Sequence, residues 1–203
     1  MRPSDGRDPL LDQARAGDEA ALGALLERYR PYLTLLARLE VGRRLRGKAD
    51  PADVVQDAFL EAARNFARFR GEGEPELTAW LRQILAACLA QLVRRYFGTQ
   101  ARDVRLEQVL AGELDQSSRS LDGGLVARQS SPSQRASRRE QAVLLADALA
   151  VLPPDYREVL VLRHLEGLTF PEVAARMGRT VASVEKLWAR ALPRLKRALG
   201  ASA

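Results

Sequence analysis

Seven cations crowd one end of the chain. Arg176, Arg179, Lys186, Arg190, Arg194, Lys196 and Arg197 face a single acid, Glu185, so this stretch carries +6, as much as the whole 203-residue protein. Guanidinium and ammonium groups at that density neutralise phosphates, and arginine can also donate in pairs to guanine edges, so the chemistry on offer is polyanion binding. A solvated helix face is the plainer alternative. Carboxylate chemistry has a thinner basis: Asp53 and Asp57 stand at i and i+4, the one weak candidate for a metal-holding cluster in the N-terminal half. Cys88, the single cysteine, excludes an internal disulfide and a cysteine-cluster zinc site, and the single histidine, His164, leaves little material for a catalytic zinc. Cys88 falls on an apolar helix face and reads as a small core residue. His164 precedes a helix end, where a cation would favour the helix dipole. In Gly71-Glu72-Gly73-Glu74-Pro75 acids alternate with the glycines and no Gly-Lys-Ser/Thr follows, so this is no phosphate loop. No catalytic residue, metal or cofactor is expected, and the chain does not read as an enzyme.

The cations acquire a geometry from the residues between them. Thr169-Phe170-Pro171-Glu172 fits the S/T-x-x-E capping box that starts a helix. Ala174, Gly178 and Val184 then follow at the A-x3-G-x5-V spacing of a helix-turn-helix. The alanine admits a close second helix, the glycine takes the positive-φ turn, and the valine packs between the helices. Thr180 caps the second helix. At about 100° per residue, Val184, Trp188, Ala191 and Leu195 share one face, while Arg179, Ser183, Lys186, Arg190 and Arg197 share the opposite one. Such segregation suits groove entry, with Thr180 or Ser183 near the helix N-terminus able to donate to a phosphate. A structural αα-hairpin with a wet basic face is the competing reading. Pro193 is expected to bend or end the second helix after about three turns, and Glu185 sets an acid beside the basic face.

The elements that must hold these residues are helical. Apolar spacing is three or four in nearly every window, with no alternating runs joined by hairpin turns, so the fold class is all-α. Hydrophobic residues at 46% and charged residues at 29% are the proportions of a chain that folds. Leu22, Leu25, Leu26, Tyr29, Leu33, Leu36 and Leu39 form a first segment, which Pro31 kinks or restarts, up to the basic run Arg43, Arg44, Arg46, Lys48. Asp50-Pro51 opens the next helix, whose stripe Val55, Phe59, Ala62, Phe66, Phe69 reads as core. Gly71, Gly73 and Pro75 break the pattern before a helix from Leu77 to about Gly98. Residues 112–137, with Gly123-Gly124, Pro132 and seven serines, have the composition of a flexible linker. The expected organisation is therefore two small helical domains, 1–100 and 141–203, joined by a linker at 101–140. No apolar run approaches the roughly 20 residues that span a bilayer, and the N-terminal residues lack a signal peptide's hydrophobic stretch, so no membrane insertion and a cytoplasmic location are expected.

The stretch Leu152 to Leu195, LPPDYREVLVLRHLEGLTFPEVAARMGRTVASVEKLWARALPRL, resembles region 4 of the sigma-70 family of RNA polymerase initiation factors. Upstream, ADPADVVQDAFLEAARNFARFRG resembles regions 2.2 and 2.3 of that family, and ELTAWLRQILAACLAQLVRRY resembles region 2.4. Helix-turn-helix units are common, but both halves in this order, with no intermediate domain, are specific and are similar to the extracytoplasmic-function (ECF) subgroup over roughly residues 8 to 199.

The resemblance implies a protein that binds core RNA polymerase through the β′ clamp and the β flap, directs it to promoter DNA and helps melt it. Asp53, Gln56 and Asp57 form one polar patch on a helix, and in the family the corresponding patch holds the clamp. The loop Arg70 to Glu76 corresponds to where an unpaired minus-10 base is captured, while Phe66 and Phe69 read as core rather than stacking platforms. Arg70, Arg82, Gln83, Gln91, Arg94 and Arg95 are the implied minus-10 contacts. Arg179, Thr180, Ser183, Lys186 and Arg190 are the implied minus-35 contacts, and the linker would run near the RNA exit path. Ala87 stands where family members often carry Asn and Gln91 where they carry Asp, so the base-reading groups expected along the minus-10 helix are partly absent. Glu185 and Leu187 stand where the recognition helix is often basic, so an altered or weakened minus-35 preference is expected. The resemblance leaves room for an anti-sigma factor, which no residue here identifies. Two rivals carry different requirements: a stand-alone helix-turn-helix regulator needs a dimer interface, of which no pattern is visible, and a recombinase-type enzyme needs an acid or nucleophile cluster in residues 1 to 100.

Overall fold

Aspartates open the helices of the N-terminal half. The carboxylates of Asp8, Asp18 and Asp50 accept from the backbone N–H of Leu10, Ala21 and Ala52 at 3.1, 3.0 and 2.8 Å, each satisfying a first-turn amide that has no partner inside its helix. The computed structural model describes residues 8–45, 47–97, 105–123 and 134–201, and among these there is no strand. Arg46 and the segments at residues 98–104 and 124–133 lie outside the described residues. The chain divides into two compact units, Met1–Gln116 and Ser117–Ala203.

In the first unit α1 (Pro9–Arg15) packs on α2 (Glu19–Arg28), and α3 (Arg30–Arg44) packs on both α4 (Pro51–Asn65) and α5 (Glu74–Phe97). Pro31 sits in the first turn of α3, where its missing N–H costs nothing, so the chain restarts there. Leu25, Leu33, Leu36, Val55, Ala62, Leu81 and Leu85 fill the core. The α4 stripe continues through a single 3-10 turn, Phe66–Arg68. It delivers Phe66 and Phe69 against Trp80 of α5, with ring centroids 6.1 and 5.1 Å from the indole. Both phenylalanines are buried, so they are core.

Residues 101–140, read above as linker, contain α6 (Arg105–Gly123) and the start of α7 (Gln134–Ala150). Leu110 and Leu114 are fully buried, and the serine-rich composition downstream masked their helical spacing. Ion pairs fasten the first half of α6 to its unit. Arg44 donates twice to the Glu113 carboxylate at 2.6 and 2.8 Å. Arg82 donates to Asp115 at 2.6 Å and to the Tyr32 hydroxyl at 3.0 Å. Beside them Glu40 is buried against Arg43 at 2.8 Å, and burial raises its carboxyl above the usual range.

The second unit holds α7, α8 (Pro154–Leu160), α9 (Phe170–Met177) and α10 (Val181–Ala201), with α10 packed on the other three. The Arg157 guanidinium collects the carbonyls of Leu149, Ala150 and Leu152 at 2.9, 2.6 and 3.1 Å, which closes the C-terminal end of α7 and fixes where α8 departs. α8 runs into a π turn, Val161–Leu165, before Gly167 turns the chain at φ 72°. Pro193 does not end α10: the helix continues to Ala201. Buried Ala191 and Leu195 hold the helix against the core on either side of the proline, so packing outweighs the lost backbone bond.

Candidate nucleic-acid interface

The helix-turn-helix is built as the spacing requires. The Glu172 carboxylate accepts from the Thr169 N–H and hydroxyl, both at 2.7 Å, and these bonds hold its pKa below the ordinary carboxylate value. Gly178 takes the left-handed conformation, φ 63° and ψ 37°, and the following amide, Arg179 N–H, donates to Ala174 O at 2.9 Å. The Thr180 hydroxyl accepts from Ser183 N–H at 3.3 Å at the start of α10. Val184, Ala191 and Leu195 are buried, and Trp188 is partly buried.

Trp188 is locked by the one histidine. Its indole N–H donates to Nε2 of His164 at 2.9 Å, and its ring meets Phe170 edge-on at 5.6 Å. Accepting that bond requires an unprotonated Nε2, and burial together with Arg163 lowers the imidazole pKa from its ordinary value. His164 is therefore a neutral acceptor under α10, not the dipole-favouring cation the sequence suggested. An indole N–H on an apolar face needs a partner when buried, and that was the signal available in the sequence.

Opposite this packed face, Arg179, Thr180, Lys186 and Arg190 are exposed and Ser183 is partly so. Arg179 is not free, because its guanidinium pairs with Asp155 of α8 at 2.6 Å. Arg176 pairs with Glu166 at 3.4 Å, and Arg194 lies over the Tyr156 ring at 4.8 Å. Arg197 donates to the Pro193 carbonyl at 3.4 Å. Among the described residues, Lys186 and Arg190 make no such contact. Two exposed cations thus remain on the recognition face, flanked by exposed Glu185 and partly buried Leu187.

In the first unit Asp53, Gln56 and Asp57 are exposed on one face of α4, and Arg30 donates to the Gln56 side-chain Oε1 at 3.3 Å. The Arg70 loop is anchored rather than free. Arg15 donates to the Gly71 carbonyl, and Arg70 donates to the Ala67 carbonyl at 2.8 Å. A side chain at position 71 would collide with Glu76 and the Phe69 ring, so the loop requires glycine there. Beneath it a groove of about 710 Å³ is lined by Arg15, Asp18, Leu22, Phe66, Phe69, Arg70 and Glu72.

Along α5, Gln83, Gln91 and Arg95 are exposed and Arg94 is partly so. Arg82 is not on that surface: its side chain is 8% exposed, held by Asp115 and the Tyr32 hydroxyl. Helical projection could not reveal this, because the acid that draws Arg82 inward lies 33 residues away on α6. Gln91, Arg94 and Arg95 line a second groove of about 540 Å³ with Ala87 and Cys88 of α5 and Asp57, Leu60, Glu61 and Arg64 of α4. Burial pushes the Cys88 thiol up to about 11, with Asp57 and Glu61 adding to the shift, so it stays protonated and unreactive at neutral pH.

Residues 25–101 match the family description Sigma-70 region 2, and residues 142–195 match Sigma-70, region 4. Over 189 residues the chain is 32% identical to the ECF RNA polymerase sigma factor SigD of Mycobacterium tuberculosis, covering 93% of this chain and 82% of that one. It is 31% identical over 201 residues to the RNA polymerase sigma factor CnrH of Cupriavidus metallidurans, covering 99% and 98%. The solved structure of CnrH in complex with the cytosolic domain of CnrY aligns over 98% of this chain at 26% identity, with a TM-score of 0.35. A helix-turn-helix unit joined to a second helical unit with those matches defines the class: the chain belongs to the sigma-70 family of RNA polymerase sigma factors. Within it the chain is of the ECF kind, a promoter-specific sigma factor for RNA polymerase. The stand-alone regulator and the recombinase lose their basis with that match.

Proposed function

We propose that the two units divide the work of initiation as the family pattern suggests, with residue roles specific to this chain. The N-terminal domain, drawn at residues 1–100, docks on polymerase and opens the minus-10 element. Residues 101–140 connect, and residues 141–203 read the minus-35 element. Asp53, Gln56 and Asp57 meet the β′ clamp; the second unit meets the β flap. The observation that carries this reading is the coexistence of an exposed acidic and amide patch on α4 with exposed Lys186 and Arg190 on a helix-turn-helix. An acidic patch repels DNA and suits a protein partner, whereas the cations suit phosphate and guanine.

Melting costs about 1.4 kcal/mol per stacked step, and this chain offers two compensating features. Gln91, Arg94 and Arg95 follow the strand along α5, and the groove beside Phe66, Phe69 and Arg70 has room for one unpaired base. Minus-35 contact falls to Lys186 and Arg190, helped by Thr180 and Ser183 at the helix start. Arg179 joins them on leaving Asp155 for a phosphate. Glu185 and Leu187 leave fewer cations on the recognition face, and an altered minus-35 preference follows. In this reading the protein catalyses nothing itself, takes no cofactor, and works in the cytoplasm where polymerase is.

Footprinting of open complexes tests the assignment. Lys186→Ala with Arg190→Ala removes upstream protection, and Arg94→Ala with Arg95→Ala removes the melted region while upstream protection stays. Loss of both regions in either variant contradicts the division.

A further inference from the structure

We infer that His164 is a positioning residue for DNA reading: its neutral Nε2, by holding the Trp188 indole, seats the recognition helix α10, and a proton on that nitrogen loosens the grip of Lys186 and Arg190 on duplex DNA. The inference rests on the minus-35 role proposed above for those two cations. It adds a pair of residues that neither the helix-turn-helix spacing nor the implied contacts include.

Trp188 lies midway between Lys186 and Arg190 on α10, so at about 100° per residue both cations lie on the face opposite the one it packs. Its ring joins three elements. The indole N–H reaches His164 on the π turn at 2.9 Å, and the ring meets Phe170, at the start of α9, edge-on at 5.6 Å. Arg163 closes the cluster, its guanidinium 5.1 Å from the Phe170 centroid and donating to the Leu168 carbonyl at 3.2 Å. The π turn sets the register of the histidine: Glu166 N–H donates to the Val161 carbonyl at 3.0 Å, five residues back. Wide turns of this kind occur frequently at functional sites. Elsewhere on this face α10 is held by Val184, Ala191 and Leu195, which are apolar and indifferent to pH. The tie between His164 and Trp188 is the proton-sensitive part of the seat.

A proton on Nε2 converts the acceptor into a donor, so two N–H groups face each other at hydrogen-bond distance and the indole must move away. Charges on the elements packed around the ring set when that happens. Arg163, on the same turn, opposes protonation, and so does burial. Glu166, also following the turn, pairs with Arg176 of α9 at 3.4 Å, and Glu172 of α9 is spent on Thr169 at 2.7 Å. On α8, Asp155 pairs with Arg179 at 2.6 Å, Arg157 holds the α7 carbonyls and Arg194 lies over Tyr156, with Glu158 the other charged group. On α10, Glu185, Lys186 and Arg190 are exposed. The imidazole is thus neutral at pH 7 and takes its proton below about pH 6.5. An added cation by itself tightens DNA binding as pH falls, whereas loss of the Trp188 tie weakens it, so the two effects differ in sign.

The test uses holoenzyme assembled from the full chain and core polymerase, with a duplex selected from random sequence by that holoenzyme as the probe. Affinity is read from about pH 8 to about pH 5, at a temperature where thermal melts show the C-terminal unit folded throughout. The wild type should bind about 5-fold more weakly once the imidazole is protonated, the cost of a donor that loses its acceptor but keeps some access to water. His164→Gln keeps an acceptor without titrating, and Trp188→Phe keeps a ring without the N–H; each should flatten that fall. Polymerase groups that titrate are common to all three proteins and cancel in the comparison. A wild-type affinity that stays level or rises in acid overturns the inference. So does an equal fall in His164→Gln, which hands the proton to another group, or in Trp188→Phe, which takes the indole out of the route. Lys186→Ala with Arg190→Ala that leaves binding at about pH 8 unchanged removes instead the minus-35 role beneath the inference.

Discussion

Arg82→Ala separates a structural arginine from a DNA-binding one. The Arg82 side chain is 8% exposed and makes two charge-assisted bonds, to Asp115 at 2.6 Å and to the Tyr32 hydroxyl at 3.0 Å. A hydrogen bond to a charged group contributes about 1.5 to 3 kcal/mol. Asp115 is 52% exposed, so water takes over that carboxylate once the arginine is gone, and its share is discounted accordingly. The truncated stem also leaves a small void between α3, α5 and α6. Together these set the loss at about 2 kcal/mol, which for a unit of this size lowers its melting temperature by about 8 °C at roughly 4 °C per kcal/mol. Differential scanning calorimetry of the full chain reads it in the transition of the N-terminal unit. Arg95→Ala, on the exposed part of α5, should move that transition by less than about 0.5 kcal/mol while weakening strand binding. An Arg82→Ala protein with an unshifted transition and reduced affinity for single-stranded DNA would refute the reasoning and return Arg82 to the promoter surface.

Other outcomes follow from the second unit. His164 has its pKa lowered from 6.5 in the folded unit, so between that lowered value and about 6.5 the unfolded chain binds more protons than the folded one. Its stabilising effect is complete above about pH 6.5 and is lost as pH falls through the folded value. Thermal melts should show the C-terminal unit weakening below about pH 6.5, and His164→Gln, which keeps an acceptor for Trp188 without titrating there, should flatten that slope. Gly178→Ala meets no atom within 4 Å at its new Cβ, so the left-handed backbone alone sets its cost at about 1 to 2 kcal/mol, read as a lower melting temperature. Lys186→Ala should reduce the slope of log affinity against log salt for duplex DNA by about 0.9; an unchanged slope removes the residue from the phosphate contacts.

Where local rules governed, the sequence was a good guide. Asp50-Pro51, Thr169-Glu172 and Gly178 specify their caps and turn within four residues, so α4, α9 and the helix-turn-helix are legible in the sequence alone. The stripe Val55, Phe59, Ala62 was legible for the same reason, since a helix repeats its buried face every three or four residues. Contacts across the chain were not. Helical projection puts Arg82 on the surface because its own helix says nothing of Asp115. The sequence places His164 before a helix end, where a cation would favour the dipole, and gives no sign of the Trp188 indole that it serves 24 residues on. Composition hides α6: Gly123-Gly124 and the serines give residues 112–137 the character of a linker although Leu110 and Leu114 are buried. Pro193 shows the opposite failure, a strong local rule overridden by two buried neighbours.

In the function proposed above, α4 presents this chain to polymerase. A pull-down of core RNA polymerase by wild-type protein, set against Asp53→Ala with Gln56→Ala, tests it most directly, because both residues are exposed and their loss leaves the fold intact. The wild type is expected to retain polymerase and the double variant to do so weakly, with duplex binding by the helix-turn-helix unchanged. Equal retention by the two proteins would contradict it.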